Sequence, residues 1–190
     1  EGRTIINRCY ETTVATGLFS DFLVLTDSED VEKIILAIEG KVKRYSRTPD
    51  SSVEYVAEAG LDIEADIILH IQGNIPNLKE APIEKLLKTF EDVTSRNIQV
   101  ASIVYKMQHA EEIADPNRIK ATLNMRLFAM YFSRYPVPFL YHKDLPISHY
   151  AHTGIYAYRK AVLFNFMNWP VAPLERTEQI ESLRFLENGI

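Results

Sequence analysis

The sequence predicts an α/β fold built on a mostly parallel sheet with an antiparallel extension. Up to about residue 110, short apolar runs alternate with amphipathic helix patterns, which is typical of strand–helix–strand units. After residue 115, strand patterns follow one another without full helices between them. With 190 residues and 46% hydrophobic content, the chain is long enough to bury one sizeable core.

Composition excludes several classes of function. The formal net charge is −5, so the chain has no overall basic surface for nucleic acid. No apolar run approaches the roughly 18 residues of a membrane-spanning helix, so no membrane partner is expected. Cys9 is the only cysteine, which excludes an intramolecular disulfide and fits a reducing cytoplasm. Its apolar neighbours predict that Cys9 packs in the core.

The chain opens with a helix pattern over residues 4–15. The apolar run 21–26 is typical of a strand buried on both faces. Asp27-Ser28 offers an N-cap for a second helix, which Gly40 ends. Residues 41–45 then complete the first strand–helix–strand unit.

The second unit begins with a short amphipathic helix over residues 51–59. Residues 66–71 are the strongest strand pattern in the chain. A helix is predicted over 82–93, because a proline in the first turn lacks only an N–H that would be unpaired there. Residues 98–105 are the next strand.

Three further strands are predicted over 119–123, 128–133 and 153–158. They lack helices between them, so they form the antiparallel extension. Helices over 161–167 and 174–186 close the chain, the second ending at Asn188-Gly189.

The loop after the strongest strand is the first place to expect a ligand. In open α/β sheets, ligands bind beyond the carboxyl ends of the strands. This loop reads Gln72-Gly73-Asn74-Ile75-Pro76, in which glycine permits close backbone approach and glutamine both donates and accepts hydrogen bonds. Taken alone, the same residues also suit an ordinary turn.

The strand His152-Thr-Gly-Ile-Tyr-Ala-Tyr-Arg159 carries a second polar surface. Strand alternation places His152, Gly154, Tyr156 and Tyr158 on one face, which suits a sugar platform. The alternative is a half-buried strand with a structural histidine. Arg134 follows a strand end and offers a cation for an acidic substrate.

The last helix pattern carries a row of carboxylates. Glu175, Glu178 and Glu181 are spaced three apart and fall broadly on one side of a helix. The alternative is the acidic enrichment that stabilises the first turn of any helix.

Together these segments resemble the cytidylyltransferases that activate 3-deoxy-manno-octulosonate (KDO), the CMP-KDO synthetase family. The family carries Val-Gln-Gly-Asp-Glu-Pro at the loop, His-x-Gly-Ile-Tyr on the strand, and Pro-Leu-Glu-x-x-Glu-x-Leu-Glu-Gln-Leu-Arg at the acidic helix. Here the last motif reads Pro173-Leu-Glu-Arg-Thr-Glu-Gln-Ile-Glu-Ser-Leu-Arg184. Acylneuraminate cytidylyltransferases are a weaker match, because they lack the His-x-Gly-Ile-Tyr-Ala-Tyr-Arg block.

The resemblance implies a three-layer, nucleotide-diphospho-sugar-transferase-like (Rossmann-like) fold, with a mixed sheet and helices on both faces. It implies one domain over 1–190, with a nucleotide side over about 1–110 and a sugar-acid and dimerisation side over about 111–190. It also implies a cytoplasmic homodimer that joins CTP to an anionic eight-carbon sugar acid, with Mg²⁺, for lipopolysaccharide synthesis.

Carried over residue by residue, the resemblance implies a set of binding residues. On the substrate side these are Gln72, Gly73, Arg134, His152, Tyr156, Glu175 and Glu178. On the nucleotide side they are Ser51 and, in a Pro-Asn-x-Val-Lys-like stretch, Lys120. Asn74 would contact the metal in place of the family's aspartate.

Three positions depart from the family pattern on the nucleotide side. Asn74 replaces an aspartate that helps hold Mg²⁺, Ile75 replaces a glutamate, and Tyr55 replaces an arginine. An amide oxygen offers Mg²⁺ no charge, so weaker metal binding is expected. These departures leave a second hypothesis, a non-catalytic or altered-specificity paralogue that binds a sugar acid. The family's first strand with its CTP loop and its closing segment would lie outside Glu1–Ile190, so we expect a piece of a longer protein.

Overall fold

The computed structural model describes residues 2–48, 51–91, 97–142 and 148–190, and it confirms a mixed α/β fold with helices on both faces. The strands are β1 (Val24–Thr26), β2 (Val42–Arg44), β3 (Ile67–Ile71), β4 (Val100–Lys106), β5 (Lys120–Leu123), β6 (Ala129–Ser133) and β7 (Tyr150–Arg159). The helices are α1 (Ile5–Ala15), α2 (Glu29–Leu36), α3 (Ser52–Gly60), α4 (Glu80–Lys88), α5 (Ala110–Ala114), α6 (Lys160–Asn168), α7 (Pro173–Glu178) and α8 (Ser182–Glu187).

Strand β7 organises the larger sheet. Strands β3 and β5 pair with one edge of β7, β4 pairs with the other edge, and β6 pairs with β5. All these pairs are antiparallel, whereas β1 and β2 form a separate parallel pair. The described strands therefore include parallel and antiparallel pairs, with a larger antiparallel share than the strand–helix alternation indicated. The reason is that the C-terminal strand β7 lies between β3 and β4.

The alternation of side chains along β7 separates two hydrophobic cores. Tyr156 and Tyr158 face one layer, where they pack with α3, α6 and Phe185 of α8. Ile155 and Ala157 face the opposite layer, where they pack with Ile83 and Leu86 of α4 and with Phe90 just after it. Each face of the sheet is thus closed by its own helices, as the three-layer prediction requires.

The predicted helix over 174–186 is wrong as a single element. The structure has two short helices, α7 and α8, because Gln179 adopts a left-handed conformation with φ 54° and stops the first helix. Glu175 and Glu178 therefore lie on α7, whereas Glu181 precedes α8. Two smaller differences are α4, which begins at Glu80, and α5, which was not predicted. The predicted end of α4, at residues 92 and 93, lies outside the described residues.

The remaining expectations from composition concern Cys9 and membrane association. Cys9 is buried on α1, with 5% of its surface exposed. Within the described residues, no helix is both long and apolar enough to span a membrane.

Candidate active site

A cavity of about 850 Å³ opens at the carboxyl end of β3. Its wall is formed by the loop after β3, the first half of β7, the start of α3 and the α7–α8 corner. The structure brings together at this wall the predicted residues Ser51, Gln72, Asn74, Arg134, His152, Tyr156 and Glu175. It does not bring Gly73, Lys120 or Glu178 to the wall. Most of the proposed site thus converges on one place from distant parts of the chain.

Gln72 and Gly154 form the junction between β3 and β7. The Gln72 N–H donates to the Gly154 carbonyl oxygen over 3.1 Å. Gly154 has φ +78°, and a Cβ placed on it would lie 2.3 Å from Gln72 Oε1. The Gln72 side chain can cross β7 only because residue 154 is glycine.

His152 is held by hydrogen bonds on both ring nitrogens. Its Nε2 contacts Ser102 Oγ, and its Nδ1 accepts from the Gly154 N–H over 3.0 Å. The Tyr156 hydroxyl lies 3.5 Å from the same Nδ1. Burial, reinforced by neighbouring His70, lowers the pKa of His152 to about 4. The ring is therefore neutral at pH 7.

Tyr158 does not belong to the binding face that strand alternation predicted. It is fully buried in the core and stacks near Phe185 at 5.5 Å between ring centroids. Tyr156 is also buried but lines the cavity, and burial raises its pKa well above the ordinary tyrosine value. The platform thus consists of His152, Gly154 and Tyr156.

Glu175 lines the cavity, but its carboxylate is committed to Arg184. The Arg184 Nε and Nη2 donate to the two Glu175 oxygens over 2.6 and 2.7 Å. Only 3% and 7% of the two side chains are exposed. Arg184 also lies 3.5 Å from Glu54 of α3. In this structure the Glu175 carboxylate has an architectural role as the partner of Arg184.

Glu178 and Arg134 hold the end of β6 against α7. Glu178 accepts from Ser133 Oγ over 2.7 Å and from the Arg134 N–H over 2.9 Å. Burial raises the pKa of Glu178, but these hydrogen bonds outweigh that effect and lower the pKa overall. The Arg134 guanidinium donates to the carbonyl oxygens of Pro116, Glu178 and Gln179. Both predicted ligands therefore already serve the fold.

Lys120 is fully buried outside the cavity wall. Its Nζ donates to the Asp115 carbonyl oxygen over 2.8 Å, which anchors the turn before β5. Burial lowers the pKa of its ammonium group. The predicted contact of Lys120 with a nucleotide finds no support in this position.

Glu181 lines the cavity although it was not among the predicted ligands. Its carboxylate accepts from Ser52 Oγ over 2.7 Å and from the Val53 N–H over 3.3 Å, at the start of α3. Burial raises its pKa. The Ser52 N–H also bonds to this carboxylate, and since a carboxylate offers about four acceptor positions, about one stays available. The acidic row included Glu181, but the break at Gln179 is what lets Glu181 meet the start of α3 at the cavity wall.

The cationic side chains at the cavity wall differ in how many of their hydrogen-bond donors other protein groups already occupy. Arg134 is held by carbonyl oxygens, and Arg118 is held by the Tyr105 hydroxyl and by ion pairs with Glu112 and Asp115. Arg176 of α7 is exposed, and within the described part of the chain its guanidinium makes no ion pair. It is therefore the cavity cation best able to meet an anionic ligand.

Metal coordination is the least developed feature of the site. Among the described residues, no three His, Cys, Asp or Glu side chains are grouped so that they could hold a metal ion. Asn74 is exposed at the cavity wall and offers one neutral oxygen. Mg²⁺ commonly takes most of its ligands from substrate phosphates and water, so a single protein oxygen is compatible with it.

An α/β domain with a polar cavity beyond the carboxyl end of a strand has the architecture of a nucleotide-binding transferase. The family model described as cytidylyltransferase matches residues 1–190, so the chain belongs to the cytidylyltransferase family and is a nucleotidyltransferase. It is 36% identical over 188 residues to a 3-deoxy-manno-octulosonate cytidylyltransferase of Flavobacterium johnsoniae, covering 99% of this chain and 77% of that protein. The protein of the same name from Christiangramia forsetii is 35% identical, with 99% and 76% covered.

A solved structure has the same fold. It is a CMP:2-keto-3-deoxy-manno-octonic acid synthetase complexed with CTP, with a TM-score of 0.88 and 31% sequence identity. The match covers 100% of this chain and 77% of that one. The predicted family and fold class are confirmed.

We expect Glu175→Gln to destabilise the fold by about 3–5 kcal/mol, because it leaves the buried Arg184 guanidinium without its carboxylate. Urea denaturation would measure the change. The control is Glu58→Gln, which removes the partner of exposed Arg47 and should cost less than about 1 kcal/mol. Equal losses of stability in the two variants would contradict the assignment of Glu175 as the buried partner that stabilises Arg184.

Stability should fall as the pH drops from about 6.5 towards 4. Burial lowers the pKa of His70 to about 4, as it does for His152, so the unfolded chain binds more protons in this window. Each histidine contributes a slope of up to about 1.4 kcal/mol per pH unit. His70→Phe should remove the contribution of His70 to the slope of unfolding free energy against pH. Denaturation series at several pH values would measure this change. An unchanged slope in the variant would contradict burial as the cause.

Proposed function

We propose that this protein transfers the cytidylyl group of CTP to 3-deoxy-manno-octulosonate and releases pyrophosphate. The observation that carries the proposal is the convergence of Gln72, His152 and Tyr156 on one cavity in a chain of this family. The relatives that bear this activity in their names align over 99% of the chain. The cavity draws on both the predicted nucleotide side and the predicted sugar side.

The reaction is an in-line displacement. The anomeric hydroxyl oxygen of the sugar acid attacks the α-phosphorus of CTP, a new P–O bond forms, and the bond to pyrophosphate breaks. The hydroxyl proton passes to solvent. Little covalent chemistry falls to the protein, so rate enhancement comes from positioning and from stabilising charge.

Each cavity group has a distinct task in this proposal. Gln72 and the remaining acceptor position of Glu181 bind sugar hydroxyls. Tyr156 forms the apolar and hydroxyl-bearing floor under the sugar ring. Arg176 supplies a cation for the anionic group that it faces. These assignments need no movement of the residues that hold the fold, namely Glu175, Glu178 and Arg134.

Mg²⁺ belongs to the proposal as a cofactor. When bound it would neutralise charge on the nucleotide phosphates. Asn74 would contribute one amide oxygen, and phosphate and water oxygens would supply the rest. By the same resemblance, we propose that the protein works in the cytoplasm and that its product serves lipopolysaccharide synthesis.

The second hypothesis, a non-catalytic paralogue, is not favoured by the comparisons. The structure also weakens one argument for the paralogue hypothesis. Tyr55, which replaces an arginine of the family pattern, stacks on Tyr45 with ring centroids 4.4 Å apart and donates to the Arg47 carbonyl oxygen. It therefore has a packing role of its own near the start of α3.

The activity test is pyrophosphate release from CTP and the sugar acid with Mg²⁺, on the full-length protein beside an Asn74→Asp variant. We expect turnover by the natural protein and about tenfold lower Mg²⁺ needed for half-maximal rate in the variant, because a carboxylate adds charge for the metal. Silence of the natural protein with activity in Asn74→Asp would support the binding-only paralogue. Silence of both would overturn the substrate assignment.

We also propose a homodimer that forms through β6 and the segment after it. β6 is an edge strand of the described sheet, and its Met130 is 64% exposed. Several neighbouring apolar side chains are exposed as well, namely Leu127, Phe128, Tyr135, Phe139 and Tyr141. An apolar edge of this size favours association.

Sedimentation should therefore find the natural protein as a dimer and Met130→Lys as a monomer or a weaker dimer. The matched control is Met167→Lys on α6, which is also exposed but lies outside this surface. A natural protein that sediments as a monomer at micromolar concentration would refute the proposal.

A further inference from the structure

Ser102 of β4 lies behind the cavity platform at an irregular point of the sheet. Its backbone pairs with Tyr156, whereas Val104, two residues on, pairs with His152, so the register shifts between them. The Ser102 hydroxyl is placed between the Ile155 carbonyl oxygen, at 2.8 Å, and Nε2 of His152. One side chain of β4 therefore contacts β7 at two points.

The hydrogen-bond partners permit only one arrangement of protons. The Gly154 N–H can only donate, so Nδ1 of His152 must carry a lone pair. A neutral imidazole then has its proton on Nε2, which donates to Ser102 Oγ. The Ser102 hydroxyl in turn donates to the Ile155 carbonyl oxygen. Every donor in the chain meets an acceptor, and the direction is the same throughout.

We propose that Ser102 is a positioning residue that, together with the Gly154 N–H, holds His152 in the Nε2–H tautomer by giving Nε2–H its acceptor, and thereby fixes Gly154 and the Gln72 side chain in the cavity. The other tautomer would point a ring N–H at the Gly154 N–H, and two donors cannot bond to each other. Gly154 would then lose the bond that holds its left-handed conformation. The passage for the Gln72 side chain depends on that conformation.

Of the described groups that face the His152 ring, Ser102 is the one that can accept a hydrogen bond from Nε2. The edge of Phe132 packs against His152 with centroids 5.8 Å apart and offers no lone pair. The Tyr156 hydroxyl lies on the Nδ1 side at 3.5 Å. His70, on β3, is buried beyond Tyr156. Ser102 is thus the described group that bonds to Nε2.

The direct test is the ¹⁵N NMR spectrum of the histidine rings at pH 7, which distinguishes a protonated Nε2 from a protonated Nδ1. The natural protein should show His152 as the Nε2–H tautomer alone. Ser102→Ala should give a mixture of the two tautomers, and Ser102→Thr, which keeps a hydroxyl, should restore the single form. A natural protein with a protonated Nδ1, or a single Nε2–H form in Ser102→Ala, would overturn the inference.

The kinetic test rests on the proposed function and uses a matched control. Ser102→Ala should raise KM for the sugar acid about tenfold and leave KM for CTP within about twofold, because misplacing Gln72 weakens hydroxyl binding. Thr122→Val also removes a strand hydroxyl bonded to a carbonyl of the neighbouring strand, but one that is not bonded to His152, and should change neither KM. An unchanged KM in a Ser102→Ala protein with mixed tautomers would overturn the link to Gln72. If the natural protein shows no turnover, the proposed function fails, and the NMR result still decides the tautomer.

Discussion

The Glu175–Arg184 ion pair is the interaction on which the cavity depends. Both side chains are almost fully buried, and Arg184 places its guanidinium 4.1 Å from the Phe166 ring centroid as well as near Glu54. One cation therefore ties α7, α8, α3 and α6 together. Because a buried charge without its partner costs several kcal/mol, none of these helices can shift independently. The ion pair therefore opposes independent movement of the helices around the cavity.

The left-handed conformation of Gln179 determines where Glu181 lies relative to the Glu175–Arg184 pair. Without the break, Glu181 would continue along the same helix as Glu175. With the break, α8 turns so that Glu181 caps the start of α3 while it still faces the cavity. The three glutamates of one motif thus acquire different tasks. Glu175 neutralises Arg184, Glu178 fixes the end of β6, and Glu181 joins α3 to the cavity wall.

Sequence reasoning reached the parts of this protein that depend on local pattern. The strand before Gln72, the loop after it and the face of β7 follow from alternation and glycine placement. It did not reach the insertion of β7 between β3 and β4, because partners far apart in sequence choose a strand's neighbours. It also missed His70 and Ser102. Each is an ordinary strand residue until the register of β7 sets its partners.

Arg134 and Glu178 illustrate a second limit. Both match the residue types that a sugar acid requires, and both lie near the cavity. Arg134 nevertheless donates to three backbone carbonyl oxygens, and Glu178 accepts from two side-chain hydroxyls and the Arg134 N–H. A pattern of residue types cannot reveal such bonds. Charge alone therefore does not show which donors and acceptors are already occupied within the fold, whereas the hydrogen bonds of the structure do.

The departure at Asn74 differs in kind from changes elsewhere in the site. Glu175, Gly154 and His152 are each constrained by contacts that would break on substitution. Asn74 is exposed, so an aspartate could replace it with little effect on the fold. Its effect must then fall on the ligand. A neutral residue weakens the attraction for Mg²⁺, but it also removes repulsion between the loop and the nucleotide phosphates. The loss of one carboxylate therefore need not abolish turnover, because the two effects on a metal–nucleotide complex have opposite signs.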